Sequence, residues 1–184
     1  GQGVQSHPAA AELRALAHLI ATLSGATSGI VAEGGNSAGA ALAGALPHRG
    51  AGGVASEQAG LDWKGMFEAG LQGYLLLGVE PELDCIDSAA ALQAMQGVGF
   101  VVAINSFASD ALRDYADVLL PAATFVETAG SFVNTEGSWQ SFNGAVVPPG
   151  EARPAWKILR VMGNLFDLNG FEQNSAEEVR DELK

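Results

Sequence analysis

A glycine-rich turn at residues 34–39 holds the first groups in this sequence that could do chemistry. It reads Gly34-Gly35-Asn36-Ser37-Ala38-Gly39 and lies between a short apolar run at 29–33 and a run of small residues. Backbone N–H groups and the helix dipole at such a strand-to-helix turn can hold a phosphate. However, Asn36 stands where a GxGxxG fingerprint needs glycine, and no Gly-Lys-Ser/Thr follows. Two interpretations therefore remain, a phosphate cradle and a tight turn that binds nothing.

The same turn spells G-x-S-x-G around Ser37, the pattern of a nucleophile elbow. A serine hydrolase of that type needs a histidine base late in the chain, after the acid. The only histidines are His7, His18 and His48, and no Asp or Glu lies between Ser37 and His48. A serine hydrolase is therefore kept only as a remote alternative.

A second group of polar residues follows Pro121, at the predicted carboxyl edge of a sheet. Doubly wound folds bind their ligands at that edge. Asn134 and Glu136 have side chains that could hydrogen-bond a base, a ribose or a pterin. They could equally satisfy backbone groups of their own loop, and residue type does not decide between the two roles.

Neither a metal site nor a reactive thiol is predicted. The three histidines and the acids show no ligand spacing. Cys85 is the only cysteine, which excludes an internal disulfide and a cysteine-ligated cluster. Cys85 lies in Leu83-Asp84-Cys85-Ile86, where acidic neighbours should raise the pKa of the thiol. We expect it to be a small packed residue.

The elements that must position these residues alternate between helical and strand patterns. A leucine-rich stripe predicts a helix that starts near Ser6-His7-Pro8 and ends near Gly25, and small residues predict another from the glycine turn to Leu46. Continuous apolar runs predict buried strands, as in a parallel sheet. The predicted strands cover 29–33, 73–79, 98–104, 116–120 and 131–135. Helix starts are predicted at Asp62, Asp87 and Ser109 or Asp110, with later helices around 156–166 and 172–184. The pattern predicts an α/β fold of three layers with a mainly parallel sheet, as one domain over 1–184.

Composition excludes several partners. The chain has 184 residues, of which 48% are hydrophobic and 16% charged, and its net charge is −12. A nucleic-acid-binding protein needs a basic surface, and an acidic one is repelled by anionic lipid. No apolar stretch reaches the length of a membrane span. We expect no nucleic acid and no direct membrane insertion. Because the sequence begins with Gly1, we also expect a piece of a longer chain or a processed chain.

Two longer segments resemble a known family. Residues 116–140 are similar to the molybdopterin oxidoreductase superfamily through Ala116–Ala123 and then Glu127, Gly130, Phe132, Asn134, Glu136, Gly137 and Gln140. Glu33–Ala40 and Leu42–Arg49 resemble the large iron–sulfur subunits of respiratory NADH:quinone oxidoreductase, also called complex I. The resemblance implies a Rossmann-like domain of the formate dehydrogenase and DMSO reductase type.

The resemblance also bears on whether this domain binds a cofactor. In cofactor-bearing relatives such loops hold a molybdopterin guanine dinucleotide, whereas in complex I the domain is a retained scaffold. Ser138 replaces the arginine of the family motif, and residues 110–113 replace its T-E-T-A element. We therefore interpret the cofactor site as vestigial, with no catalytic and no metal-binding residue. Its positions are Gly35, Asn36, Ser37, Gly39, Asn134, Glu136 and Gly137.

The implied function is a scaffold without a redox centre, in a complex that passes electrons from NADH to quinone. Iron–sulfur clusters are expected in an N-terminal part of the same subunit. The expected partners are that cluster-binding region and other hydrophilic-arm subunits. The expected location is peripheral, on the cytoplasmic side of a bacterial inner membrane or the equivalent matrix face. The alternative is part of an active enzyme, such as a formate dehydrogenase, that binds the pterin dinucleotide.

Overall fold

The computed structural model describes residues 4, 7, 9–31 and 34–184. The chain divides into two compact units, Gly1–Gly34 and Gly35–Lys184. The prediction of one domain over 1–184 stays a prediction. In the part of the chain that is described, no helix is both long and apolar enough to cross a membrane.

The first unit contains helix α1, Ala10–Ser24. The helix ends where predicted, because Gly25 adopts the left-handed φ of 71° and the Ala26 N–H donates to the Ala21 carbonyl at 2.9 Å. At its start, the Ala9 N–H donates to His7 Nδ1, whereas Ser6 and Pro8 lie outside the described residues.

The prediction of a strand at 29–33 is wrong for the residues that the structure describes. Gly29, Ile30 and Val31 belong to no strand, and Ala32 and Glu33 lie outside the described residues. Ile30 is 69% exposed, so this apolar run lacks the burial that the pattern assumed. Hydrophobic composition alone does not make a strand without a sheet to bury it.

A parallel sheet organises the second unit. Its strands β1 (Tyr74–Leu77), β2 (Val101–Asn105) and β3 (Val118–Pro121) are neighbours in that order. Tyr74 pairs with Val101, and Val102 pairs with Val118, both in parallel register. The mixed α/β class with a parallel sheet is therefore confirmed, and the three apolar runs at 73–79, 98–104 and 116–120 supply the strands.

In the described part of the second unit, five α-helices precede or connect the strands, and three of them begin at a side-chain cap. After α2 (Ser37–Leu42), they are α3 (Trp63–Glu68), α4 (Pro81–Asp84), α5 (Ser88–Gly97) and α6 (Asp110–Tyr115). Asp62, Asp87 and Ser109 each accept a hydrogen bond from the backbone N–H three residues later, as their positions predicted. Helix α4 was not predicted, since its four residues are too few for a periodic pattern.

The main core lies on one face of the sheet. Buried residues from β1, β2, α5 and α6 pack together there: Leu76, Met95, Val101, Ala103, Leu112 and Tyr115. On the opposite face Ile104 is fully buried, but Leu75 and Leu77 of β1 are about half exposed.

A β-hairpin follows the sheet. Strand β4 (Gly130–Val133) pairs antiparallel with β5 (Trp139–Phe142). The predicted strand at 131–135 thus exists, but it lies in this two-stranded sheet and outside the parallel one. Its partner is joined by a short turn, and a short connection permits only antiparallel pairing. Two helices complete the unit, α7 (Ala155–Leu165) and α8 (Ala176–Leu183), close to the predicted late and terminal helices.

Candidate functional site

The two predicted site segments meet in the structure. The Val133 N–H donates to Asn36 Oδ1 at 2.8 Å, which joins the glycine turn to β4 across 97 positions of sequence. Helix α2 packs against β4 at the same place. The resemblance grouped these segments as one site, and they do lie together. No pattern in the sequence predicts that these two segments are in contact.

Asn36 directs its side chain into the protein. Gly39 is buried, and a Cβ added to it would collide with the Asn36 side-chain amide. Gly39 therefore leaves room for Asn36 to reach β4. Gly35, in contrast, has open space where a Cβ would stand.

The Asn134 side chain stabilises its own turn. Its Oδ1 accepts from the Glu136 N–H at 3.0 Å and from the Ser138 N–H at 2.9 Å. Gly137 closes the turn in the left-handed region at φ 84°. The sequence left two roles open for Asn134, binding a ligand or satisfying backbone groups of its own loop. Its amide oxygen has the second role. Glu136 itself is exposed.

Other polar residues of the same segment also bind backbone. Asp117 Oδ2 accepts from the Val101 N–H at 2.7 Å and so fixes the start of β2. Glu127 Oε2 accepts from the Thr124 N–H at 2.8 Å, as one half of a capping box. The motif that carries the family resemblance is thus largely a set of backbone anchors.

A small cavity adjoins the two segments. It has a volume of about 210 Å³ and is lined by Asn36, Gly39 and Val133 together with Trp139, Trp156 and Arg180. Arg180 is engaged: its Nη2 lies 2.7 Å from Asp181 Oδ1, and its Nη1 donates to Ser141 Oγ at 3.1 Å. Pockets that take drug-sized ligands are larger, about 300–1,000 Å³.

The histidines give the hydrolase alternative no support. His7 Nδ1 accepts from the Ala9 N–H, and His18 Nδ1 lies 3.4 Å from Ser28 Oγ. Neither pairing is part of a Ser-His-Asp arrangement. Ser37 is the first residue of α2.

The structure contains a polar cluster that no sequence pattern indicates. The Tyr115 hydroxyl donates to Glu82 Oε2 at 2.8 Å, and Ser109 Oγ lies 3.4 Å from Glu82 Oε1. Burial, with added effects of the Glu82 hydrogen bond and charge, raises the pKa of Tyr115 well above its ordinary value. The 33 positions between Tyr115 and Glu82 hide this pairing from any local pattern.

Cys85 behaves as predicted. Burial raises the pKa of its thiol, and the charge of Asp84 adds to that effect. Within the described ranges, no group of three or more His, Cys, Asp and Glu side chains could hold a metal ion.

Comparison with known proteins identifies the family. A family model described as molybdopterin oxidoreductase matches residues 1–164. The chain belongs to the molybdopterin oxidoreductase family. Among curated relatives, the assimilatory nitrate reductase catalytic subunit of Bacillus subtilis is 29% identical over 115 residues, 62% of this chain and 16% of that protein. The F420-dependent formate dehydrogenase subunit alpha of Methanocaldococcus jannaschii is 31% identical over 110 residues, 59% of this chain and 16% of that protein.

The family confirms the coarser part of the resemblance. The aligned part of the chain spans only 16% of the length of each of those relatives. The assignment to complex I is finer than these matches reach and stays a prediction.

Proposed function

We propose that this chain is a scaffold region of the large iron–sulfur subunit of an NADH:quinone oxidoreductase. Its parent complex would pass electrons from NADH to quinone, through iron–sulfur clusters in an N-terminal part of the same subunit. The scaffold would pack on that cluster-binding region and on other hydrophilic-arm subunits. Its location would be peripheral, on the cytoplasmic side of a bacterial inner membrane or the equivalent matrix face.

One observation carries the scaffold proposal: the polar side chains of the candidate cofactor site are used by the protein itself. Asn36 Oδ1 binds the Val133 N–H, and Asn134 Oδ1 binds two backbone N–H groups. If the Asn36 side chain turned toward a ligand, the N–H of the buried residue Val133 would lose its partner. These residues hold the fold together whether or not anything binds.

The described site offers few groups to a molybdopterin guanine dinucleotide, which supports the scaffold proposal. Its phosphates need cationic or N–H donors, whereas Arg180 is paired with Asp181 and Glu136 adds a carboxylate. The adjoining cavity of about 210 Å³ is smaller than the pockets that enclose drug-sized ligands, which also supports the proposal. The replacement of the motif arginine by Ser138 removes a further donor.

The second candidate is part of an active molybdopterin-dependent oxidoreductase, such as a nitrate reductase or formate dehydrogenase. The names of the two relatives favour it, since one is a catalytic subunit and the other a formate dehydrogenase subunit. In that case Gly35 and Gly39 of the glycine turn and Gly137 of the hairpin turn would let a dinucleotide approach the backbone.

Analysis of the full-length parent protein separates the two candidates. Molybdenum and tungsten are measured by mass spectrometry, and released pterin is measured by fluorescence after oxidation, each per mole of subunit. The scaffold proposal expects iron and sulfide with no stoichiometric molybdenum, tungsten or pterin. One metal and one or two pterins per subunit would establish the second candidate instead.

A further inference from the structure

The segment around α7 has the opposite charge to the rest of the chain. Residues 152–166 contain Arg153, Lys157 and Arg160 and no acid, so their net charge is +3. The other residues hold 6 of the 9 cations and all 21 acids, a net charge of 6 − 21 = −15. Lys157 and Arg160 are three positions apart on one helix, a spacing that places both on the same face.

These cations form no salt bridge within the described chain, although Glu127 and Glu177 line a cavity beside Arg153 and Lys157. The salt bridges there join Lys64 to Glu68 and Arg180 to Asp181. Arg153 Nη1 donates to the backbone carbonyls of Gly150 and Ala152. Among the described residues, this cluster therefore has no carboxylate at salt-bridge distance.

The environments of Lys157 and Arg160 show unused donor capacity. Lys157 Nζ lies 5.3 Å from the centroid of the Trp156 ring. Arg160 Nη2 lies 3.5 Å from Asn174 Oδ1, and Arg160 Nε is buried with no hydrogen-bond partner. An unsatisfied buried donor on a charged group is costly. A carboxylate at the accessible side of the guanidinium would add charge-assisted hydrogen bonds to Arg160.

An apolar groove runs beside the same cations. Its volume is about 570 Å³, and its lining includes Leu120, Ile158, Val161, Met162 and Leu165 together with all three cations. Val161 is 50% exposed and Leu165 is 77% exposed. Phe166 and Leu168, just beyond the helix, are also more than half exposed. The face thus offers cations and apolar side chains together.

We propose that this basic and apolar face of α7 binds an acidic amphipathic segment of a partner protein. Carboxylates of the partner would pair with Lys157 and Arg160, and its apolar side chains would enter the groove beside Val161 and Leu165. Helices with an apolar stripe commonly bind grooves in this way. A lipid surface is disfavoured because an extended anionic bilayer would meet the acidic charge of the rest of the chain as well, whereas a short peptide meets this face alone. The proposal does not depend on the scaffold function.

A peptide-binding measurement tests the proposal. The probe is a fluorescent helical peptide of about 15 residues with glutamates at i and i+4 and leucines on the adjacent stripe. The variant K157E/R160E should weaken its binding about tenfold or more, because attraction becomes repulsion. The control K64E/R113E makes the same change in net charge at exposed positions elsewhere and should bind the peptide like the wild type. Replacing the peptide's leucines by serines should also abolish binding.

Several results would overturn the proposal. These are no binding of the peptide, an equal loss in both double variants, tighter binding to phosphatidylglycerol vesicles than to the peptide, or self-association through this face that K157E/R160E abolishes. Circular dichroism verifies that each variant is folded. If K157E/R160E unfolds, the milder K157Q/R160Q takes its place and must still weaken binding.

Discussion

Single residues in this domain show why a family motif need not describe a ligand site. Asn36, Asp117, Glu127 and Asn134 all belong to segments that carry the resemblance, and each accepts a hydrogen bond from a backbone N–H. The sequence reveals which residue types are present. It cannot reveal whether an amide oxygen turns inward or toward a ligand, because that depends on a partner such as Val133, which lies 97 positions away.

Replacing Asn36 tests its structural role. Val133 is 1% exposed, so Asn36→Ala would leave its N–H buried and without its partner. We expect the free energy of unfolding to fall by about 1–3 kcal/mol. Urea denaturation measures it, with Asn143→Ala, at an exposed loop position, as the control. An equal effect of both substitutions would contradict the assigned role.

Tyr115 makes stability depend on alkaline pH. Its pKa is raised in the folded protein, so above pH 10 the unfolded chain loses a proton that the folded chain still holds. Stability should therefore fall as the pH rises from about 10. Tyr115→Phe should lower stability at pH 8 through the lost Glu82 hydrogen bond and should show a shallower alkaline decline. Urea denaturation at pH 8, 9, 10 and 11 measures both effects, and parallel pH profiles would contradict the prediction.

At the scale of elements, sequence patterns predicted the parallel sheet well. The apolar runs gave three strands, and Asp62, Asp87 and Ser109 marked helix starts, because both signals are local. The run at 29–33 failed in its described part, since burial is a property of the whole fold. Strand β5 was missed, because its four residues Trp139–Phe142 become a strand only by pairing with β4.

The small-residue helix shows how backbone geometry overrides composition. It was predicted to continue through Leu46 but ends at Leu42, because Gly44 adopts φ 77° and packs on the backbone of Gly50. A Cβ at Gly44 would lie 2.6 Å from the Gly50 carbonyl carbon.

Alanine substitution separates this close approach from ordinary loop flexibility. Gly44→Ala combines strain at positive φ with a backbone clash, and we expect a loss of more than about 1 kcal/mol in the free energy of unfolding. Gly35→Ala is the matched control, since open space surrounds the position and its φ is not positive. We expect its effect to stay within about 0.5 kcal/mol. Thermal and urea unfolding measure both variants. A tolerated Gly44→Ala would show that the turn relaxes.

At the scale of the whole molecule, charge is the dominant feature. With 21 acids and 9 cations, the folded chain concentrates negative charge that the unfolded chain spreads out. The salt bridge Lys64–Glu68 is highly exposed and should contribute little. Screening should therefore stabilise the folded state more than it weakens ion pairs.

Salt should raise the stability of this domain. Between about 0.02 and 0.3 M NaCl the screening length shortens severalfold, and the melting temperature should rise. The K157E/R160E variant, with four more net negative charges, should gain more from salt than the wild type. Calorimetry at several salt concentrations measures this. Sucrose is the uncharged control and should stabilise both proteins alike. A melting temperature that is independent of salt would contradict the prediction.

The bond between Val133 and Asn36 also predicts an order of events in folding. All three parallel strands, from Tyr74 to Pro121, lie within the 97-residue loop that this bond closes. Closing a long loop costs entropy, and that cost falls when structure already formed inside it brings the ends together. We therefore expect the sheet to assemble first and the hydrogen bond between Asn36 and Val133 to form afterwards. The glycine turn, which resembles a cofactor-binding turn, would then close the segment that contains the sheet after the sheet has formed.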